Sequence, residues 1–214
     1  MSRRIVIGIC GEMRHGKDTI ADILTVYYNF YKRPMAYSLK EAVKVLFGFN
    51  REQLYGSKKE DIDNFWNVSP RKVLQVFGTE IMRNYLGKAI EELSGIGSDF
   101  WVQSWLKWFL DYSVEPKIVV PDIRFQNELD AIRNLSKYNS DIAGYVFKVV
   151  RPDLLNRTDE NNMHPSEAEL RKIPDEAFDK VFINNTTISN LQKNVIEYIS
   201  KNILTEDEIW NTKK

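Results

Sequence analysis

The sequence predicts an α/β protein built on a parallel sheet with helices packed on its faces. Three observations predict it. Apolar runs recur at IVIGIC (5–10), KIVVPDIRF (117–125), GYVFKVVRP (144–152) and DKVFINN (179–185), and unbroken apolar runs suit strands buried on both faces. Segments with helical spacing alternate with these runs, which implies parallel pairing through crossover helices. The first run leads into a glycine turn, GEMRHGKDT (11–19), that opens a helix.

Each element follows from its own pattern. DTIADILTVYYNFY carries Ile20, Ile23, Leu24 and Tyr27 at helical spacing. MAYS (35–38) reads as a short second strand, and LKEAVKVLFGF as a helix ending near Gly48. Residues 50–69 are polar with interspersed aromatics and read as a loop or broken helix. The segment from Ser69 to Leu86 begins with a helix start signal, Ser69 as N-cap and Pro70 at the first helical position. DFWVQSWLKWFLDY (99–112) is an aromatic-rich helix with Asp99 as its expected cap. NELDAIRNLSKY places Leu129, Ile132 and Leu135 on one face. Residues 153–176 are polar and read as irregular. SNLQKNVIEYISKNI closes the chain with Leu191, Val195, Ile196, Ile199 and Ile203 in an apolar stripe, and the tail from Thr205 reads as peripheral.

Composition narrows the function. The 214 residues suit one domain with inserted lids. Thirty basic and thirty acidic residues give zero net charge, so bulk attraction to a nucleic-acid polymer or an anionic membrane is not expected. No stretch approaches the ~18 apolar residues of a membrane span. The single cysteine, Cys10, allows no internal disulfide. A reducing cytoplasm is the expected setting.

The chemistry-bearing motifs lie where strands end, the ligand-binding edge of an open parallel sheet. Gly11, Gly16 and Lys17 form G-x-x-x-x-G-K. The glycines let successive N–H groups turn toward phosphate oxygens, the following helix adds its positive end, and Lys17 can reach the β- and γ-phosphates. The usual next residue is Ser or Thr; here it is Asp18, and the hydroxyl comes one place late on Thr19. Asp18 either meets Mg²⁺ through water or caps the helix. Thr19, about 100° further round, is better placed for the α-phosphate. His15 contributes through its backbone.

Asp122 ends a buried strand, a common place for an acid that orients Mg²⁺. Arg124 and Glu128 face the same crevice or form an i,i+4 ion pair. Arg71, Gln75, Thr79 and Arg83 recur every four residues on one helix face. Gly78 within that helix costs ~1 kcal/mol against Ala, which suggests that something approaches the backbone closely, such as a bound nucleotide. Lys40 can meet the same phosphate as Arg71. Arg151 and Arg157 flank a polar excursion that reads as a mobile lid. His164, Ser166 and Glu167 invite a hydrolase reading, but no G-x-S-x-G turn accompanies them.

Taken together, GEMRHGKDT, SLKEAVKVLFGF, PRKVLQVFGTEIMR, PDIRFQNE and MHPSEAEL resemble the deoxynucleoside monophosphate kinases of bacteriophages, in that family's order and over most of the chain. The resemblance implies a P-loop NTPase fold with about five parallel strands, a helical monophosphate-binding region at 38–112 and a lid at 152–176. It implies transfer of the γ-phosphoryl group of ATP, with Mg²⁺, to a deoxynucleoside monophosphate. Gly11, Arg14, His15, Gly16, Lys17, Asp18 and Thr19 would then hold ATP, and Asp18 and Asp122 the metal. Lys17, Asp122, Arg124, Arg151 and Arg157 would surround the transferred group. Lys40, Arg71, Gln75, Thr79, Glu80, Glu128, His164 and Glu167 would serve the acceptor. The Asp18–Thr19 order becomes a family mark. Whether the enzyme is a homodimer is left open. The alternatives are another small P-loop kinase, of the dephospho-coenzyme A or phosphomevalonate type, and a nucleotide-binding module without an acceptor.

Overall fold

The computed structural model describes residues 3–155 and 165–210. In chain order the elements are β1 (Arg4–Cys10), α1 (Lys17–Tyr28), β2 (Tyr31–Lys32), α2 (Tyr37–Phe47), α3 (Arg51–Tyr55), α4 (Pro70–Gln75), a π-helical segment (Val76–Tyr85), α5 (Leu86–Ala89), α6 (Phe100–Asp111), β3 (Lys117–Ile123), α7 (Gln126–Arg133), β4 (Ile142–Val150), α8 (Pro152–Leu155), α9 (Pro165–Lys172), β5 (Lys180–Ile183), α10 (Ile188–Asn202) and α11 (Glu206–Trp210). The chain divides into two compact units, one of residues 1–34 with 114–214, the other of residues 35–113.

The first unit holds a five-stranded sheet in the order β2-β3-β1-β4-β5, parallel throughout. β1 lies at its centre, with Val6 opposite both Ile118 and Gly144. Every residue from Ile5 to Cys10 is buried or nearly so, as expected of a strand with neighbours on both edges and helices on both faces. Ile20, Leu24 and Tyr28 of α1 meet Leu191, Val195 and Ile199 of α10 and the β1 isoleucines in one apolar cluster. Each such side chain contributes about 1.5–3 kcal/mol by leaving water. α1 stops where Asn29 takes the left-handed conformation (φ 56°) and donates its N–H to Thr25 O, a frequent helix end.

The second strand differs from the sequence reading. MAYS (35–38) is not extended; Tyr37 and Ser38 begin α2. The strand is Tyr31–Lys32, paired with Ile118 and Val119, and Arg33 adds a bond from its N–H to Val119 O. A two-residue edge strand leaves too short a pattern for alternation to reveal. The stretch 153–176 differs as well: its described parts carry the helices α8 and α9 instead of irregular chain.

β3 carries a proline, Pro121, inside a strand that β1 pairs on one side. Proline cannot donate to the ladder and is tolerated at bulges; the β1–β3 register indeed slips between Gly8 and Cys10. This irregularity sets Asp122 beside the end of β1.

The second unit is helical. Ser69 caps α4 as expected, its hydroxyl accepting from Lys72 N–H at 3.3 Å, with Pro70 at the first turn. Asn50 caps α3 reciprocally with Gln53. Val43, Phe49, Leu54 and Val73 form a small core. α6 buries Trp101, Val102, Trp105, Leu106 and Phe109 on one face, with Trp105 stacked on Phe109. Asp99 precedes α6 but makes no side-chain cap bond. No described helix is long and apolar enough to cross a membrane.

Candidate functional site

The turn between β1 and α1 is built from conformations that side chains avoid. Gly11 (φ 153°) and Gly16 (φ 114°) lie in glycine territory, and Arg14 (φ 67°) adds a left-handed residue at the tip. A Cβ on Gly11 would come within 2.7 Å of Val149 O, and one on Gly16 within 2.8 Å of Asn184 Nδ2. Both glycines are therefore required by the walls of β4 and β5 as well as by the turn itself. Lys17 folds back over the loop, its ammonium donating to Gly11 O at 2.6 Å and Glu12 O at 2.7 Å. The amides at the start of α1 have no partner within the helix, and Gly16 supplies no side-chain cap. Such a turn at a helix N-terminus is an anion cradle.

Three residues that sequence reading did not single out, Glu12, Arg171 and Asn184, help hold this turn in place. Glu12 is 7% exposed and receives Arg171 of α9 through two parallel bonds, Nε to Oε1 at 2.7 Å and Nη2 to Oε2 at 2.9 Å. Arg171 holds the Glu12 carboxyl below the usual carboxylate range. Asn184, just past β5, donates Nδ2–H to His15 O at 2.9 Å. His15 is 2% exposed, its Nδ1 accepts from Arg151 N–H at 3.4 Å, and its own N–H bonds Glu12 O. The His15 backbone is thus spent inside the loop. Asn184 had a signal, its place after a strand. Arg171 had none, because its partner is 159 residues away.

The acids behave differently from one another. The Asp18 side chain is 84% exposed and lies 3.4 Å from Lys32 Nζ, which also takes Asp22 at 3.1 Å. Asp122 ends β3 half-buried. Glu128 is 3% exposed, and its Oε2 accepts from the N–H groups of Arg124 (2.8 Å) and Phe125 (3.3 Å). Glu128, expected at the acceptor, takes the N–H groups of the two residues that precede α7, the carboxylate half of a capping box. Burial pushes the Cys10 thiol far up, with Glu128 adding to the effect. Arg124 and Arg151 are exposed and Thr19 is half-buried. Arg157 and His164 lie outside the described residues; Glu167 falls in α9.

In the second unit, Arg71 donates to Glu60 at 2.9 Å, and Lys40 sits 4.1 Å above the Tyr55 ring, a cation–π contact. Gln75, Thr79 and Glu80 are exposed, with Glu80 accepting from Asn84. After Gln75 the backbone bonding changes from i→i+4 to i→i+5, with Leu86 N–H reaching Ile81 O. The feature that crowds Gly78 is protein: a Cβ there would come within 2.8 Å of Leu39 Cδ2, and the Trp101 indole donates to Gly78 O at 2.9 Å. That side-chain donor competes for a helical carbonyl, a recognised cause of a break in helical regularity.

A buried central strand, a glycine turn closed by lysine and a helix, on a parallel sheet ordered 2-3-1-4-5, define a P-loop protein. The family model described as deoxynucleotide monophosphate kinase matches residues 48–195. A protein of Acanthamoeba polyphaga mimivirus, provisionally named deoxynucleotide monophosphate kinase, is 33% identical over 201 residues, 91% of this chain and 96% of its own. The chain belongs to the deoxynucleotide monophosphate kinase family, and is a phosphotransferase. The relative is from a mimivirus, so the comparisons support the family without pointing to bacteriophages. Among solved structures, dephospho-CoA kinase from Campylobacter jejuni is similar at 13% identity and TM-score 0.44, over 91% of this chain and 95% of that one.

Proposed function

We propose that the protein transfers the γ-phosphoryl group of ATP to a deoxynucleoside 5′-monophosphate, yielding ADP and the deoxynucleoside diphosphate. The observation that carries the donor half is the loop at 11–19, whose left-handed residues and returning Lys17 suit a triphosphate. The acceptor half rests on family membership. Phosphoryl transfer asks the protein for positioning and charge neutralisation more than for covalent chemistry. Main-chain amides of the loop and α1 hold the phosphates, Lys17 exchanges its carbonyl partners for phosphate oxygens, and Thr19 bonds the α-phosphate. Arg124, Arg151 and Arg157 stabilise charge on the group in flight.

The second unit supplies the acceptor groups: Arg71, with Lys40, takes the monophosphate, and Gln75, Thr79 and Glu80 meet the nucleoside. The family resemblance assigns His164 and Glu167 to the acceptor as well. The segment 152–176 acts as the lid that excludes water, which would otherwise hydrolyse ATP.

Mg²⁺ fits as a companion of the nucleotide. Among the described residues no group of three or more His, Cys, Asp or Glu could hold a metal, and Mg²⁺ is commonly held by phosphates with one or two carboxylates. Asp122, at the end of β3, and Asp18, whose exposed side chain lies 3.4 Å from Lys32 Nζ, are the candidate carboxylates. When bound, the ion neutralises charge on the β- and γ-phosphates.

An acceptor panel tests the proposal. ADP formation from ATP and Mg²⁺ should require a deoxynucleoside monophosphate. Formation with dephospho-coenzyme A alone, or with no acceptor dependence, would contradict it.

A further inference from the structure

Glu12 presents a conflict. It is the only acid between Gly11 and Gly16, it is buried, and it stands in a turn shaped for polyphosphate. A carboxylate there repels the ligand unless a cation cancels it. Arg171 meets it with both faces of a guanidinium fork, at 2.7 and 2.9 Å, the geometry that makes such pairs strong. Arg171 is itself held: Leu170 and Ile173, on either side of it, are 3% and 4% exposed. The backbone of Glu12 is tied as well, since its carbonyl accepts from Lys17 at 2.7 Å. One residue of the loop is thus gripped at its side chain by α9 and at its main chain by the phosphate-binding lysine.

We propose that Arg171 is a positioning residue for the triphosphate site: it cancels the charge of Glu12 and fixes the loop in the shape that receives ATP. This rests on the reading of the loop as an ATP site. Two other roles compete with it. Arg171 could dock α9 without affecting nucleotide, or it could contact phosphate directly. Charge cancellation differs from both in one respect: the need for Arg171 disappears once the Glu12 carboxylate is gone.

ATP dissociation constants and melting temperatures of four full-length proteins decide it: wild type, Arg171→Gln, Glu12→Gln and the double variant. Arg171→Gln should weaken ATP by about tenfold or more, as expected when a buried charge loses its partner. The double variant should bind ATP within about threefold of Glu12→Gln, a non-additivity that reports the pair. Unaltered affinity in Arg171→Gln would overturn the proposal in favour of docking alone. A double variant about tenfold weaker than Glu12→Gln would overturn it in favour of direct phosphate contact. Should Arg171→Gln fail to fold, the comparison of Glu12→Gln with the double variant still tests direct phosphate contact, and Arg171→Met, of similar length, takes its place in the test against docking alone. Wild-type protein that binds no ATP would overturn the underlying reading; wild-type binding without rescue would overturn this inference alone.

Discussion

Two polar side chains of the glycine loop, Glu12 and His15, turn inward, while Arg71, Gln75, Thr79 and Glu80 of the helix at 70–85 turn outward. Between Gly11 and Thr19, Glu12 and His15 are buried and reach α9, β4 and the segment after β5. Along 70–85, Arg71, Gln75, Thr79 and Glu80 are exposed, and the partners of Arg71 and Glu80 are surface side chains. The loop is a pre-formed turn whose shape is fixed by long-range bonds. On the helix, Arg71 and Glu80 have exposed, low-cost partners to give up. Preorganisation of this kind belongs where charge must be stabilised with little rearrangement, and exchangeable surface pairs belong where a substrate enters and leaves.

The largest effect should come from the loop. Lys17→Ala should lower turnover by about 10²–10³-fold, the scale of removing one charge-stabilising donor; steady-state rates with ATP and acceptor varied separately check it. Gly16→Ala comes next. It imposes a side chain at φ 114° and sets a Cβ 2.8 Å from Asn184 Nδ2, so the protein should lose about 1–3 kcal/mol in denaturant unfolding together with ATP affinity. A neutral result would show that the loop is not held as described.

Arg71→Ala should raise the acceptor KM by about 10–100-fold, the scale of a hydrogen bond to a charged group, and leave the ATP KM in place. A defect confined to ATP would erase the contrast between the two regions. Trp101→Phe should be the smallest, about 1 kcal/mol in thermal or denaturant unfolding. It removes the bond to Gly78 O and keeps most of the apolar surface. An unchanged stability would return Gly78 to the role of a ligand-approach point.

The two regions also differ in how far the sequence disclosed them. The strand–loop–helix unit was readable because it is local: its glycines, lysine and flanking apolar runs are contiguous, and backbone geometry dictates the residue types. The boundaries of α2 at Gly48 and of α4 at Ser69 were readable for the same reason. β2 was placed a few residues late, because a two-residue strand carries no period. The π bonding within 76–85 was not readable, because Trp101, far along the chain, takes up the carbonyl of Gly78. Glu128 misled in another way. Its spacing from Arg124 suggested an ion pair or a substrate contact, and its carboxylate turned out to serve backbone amides. Arg171 could not be read at all, since only the folded chain brings it to Glu12.

The most direct test follows the transferred group itself. Wild-type protein is supplied with γ-labelled ATP, Mg²⁺ and a deoxynucleoside monophosphate, and the products are separated. The account predicts the label on the deoxynucleoside diphosphate, in amounts equal to the ADP formed. Label released as free phosphate, or retained on ATP with every deoxynucleoside monophosphate tried, would contradict it.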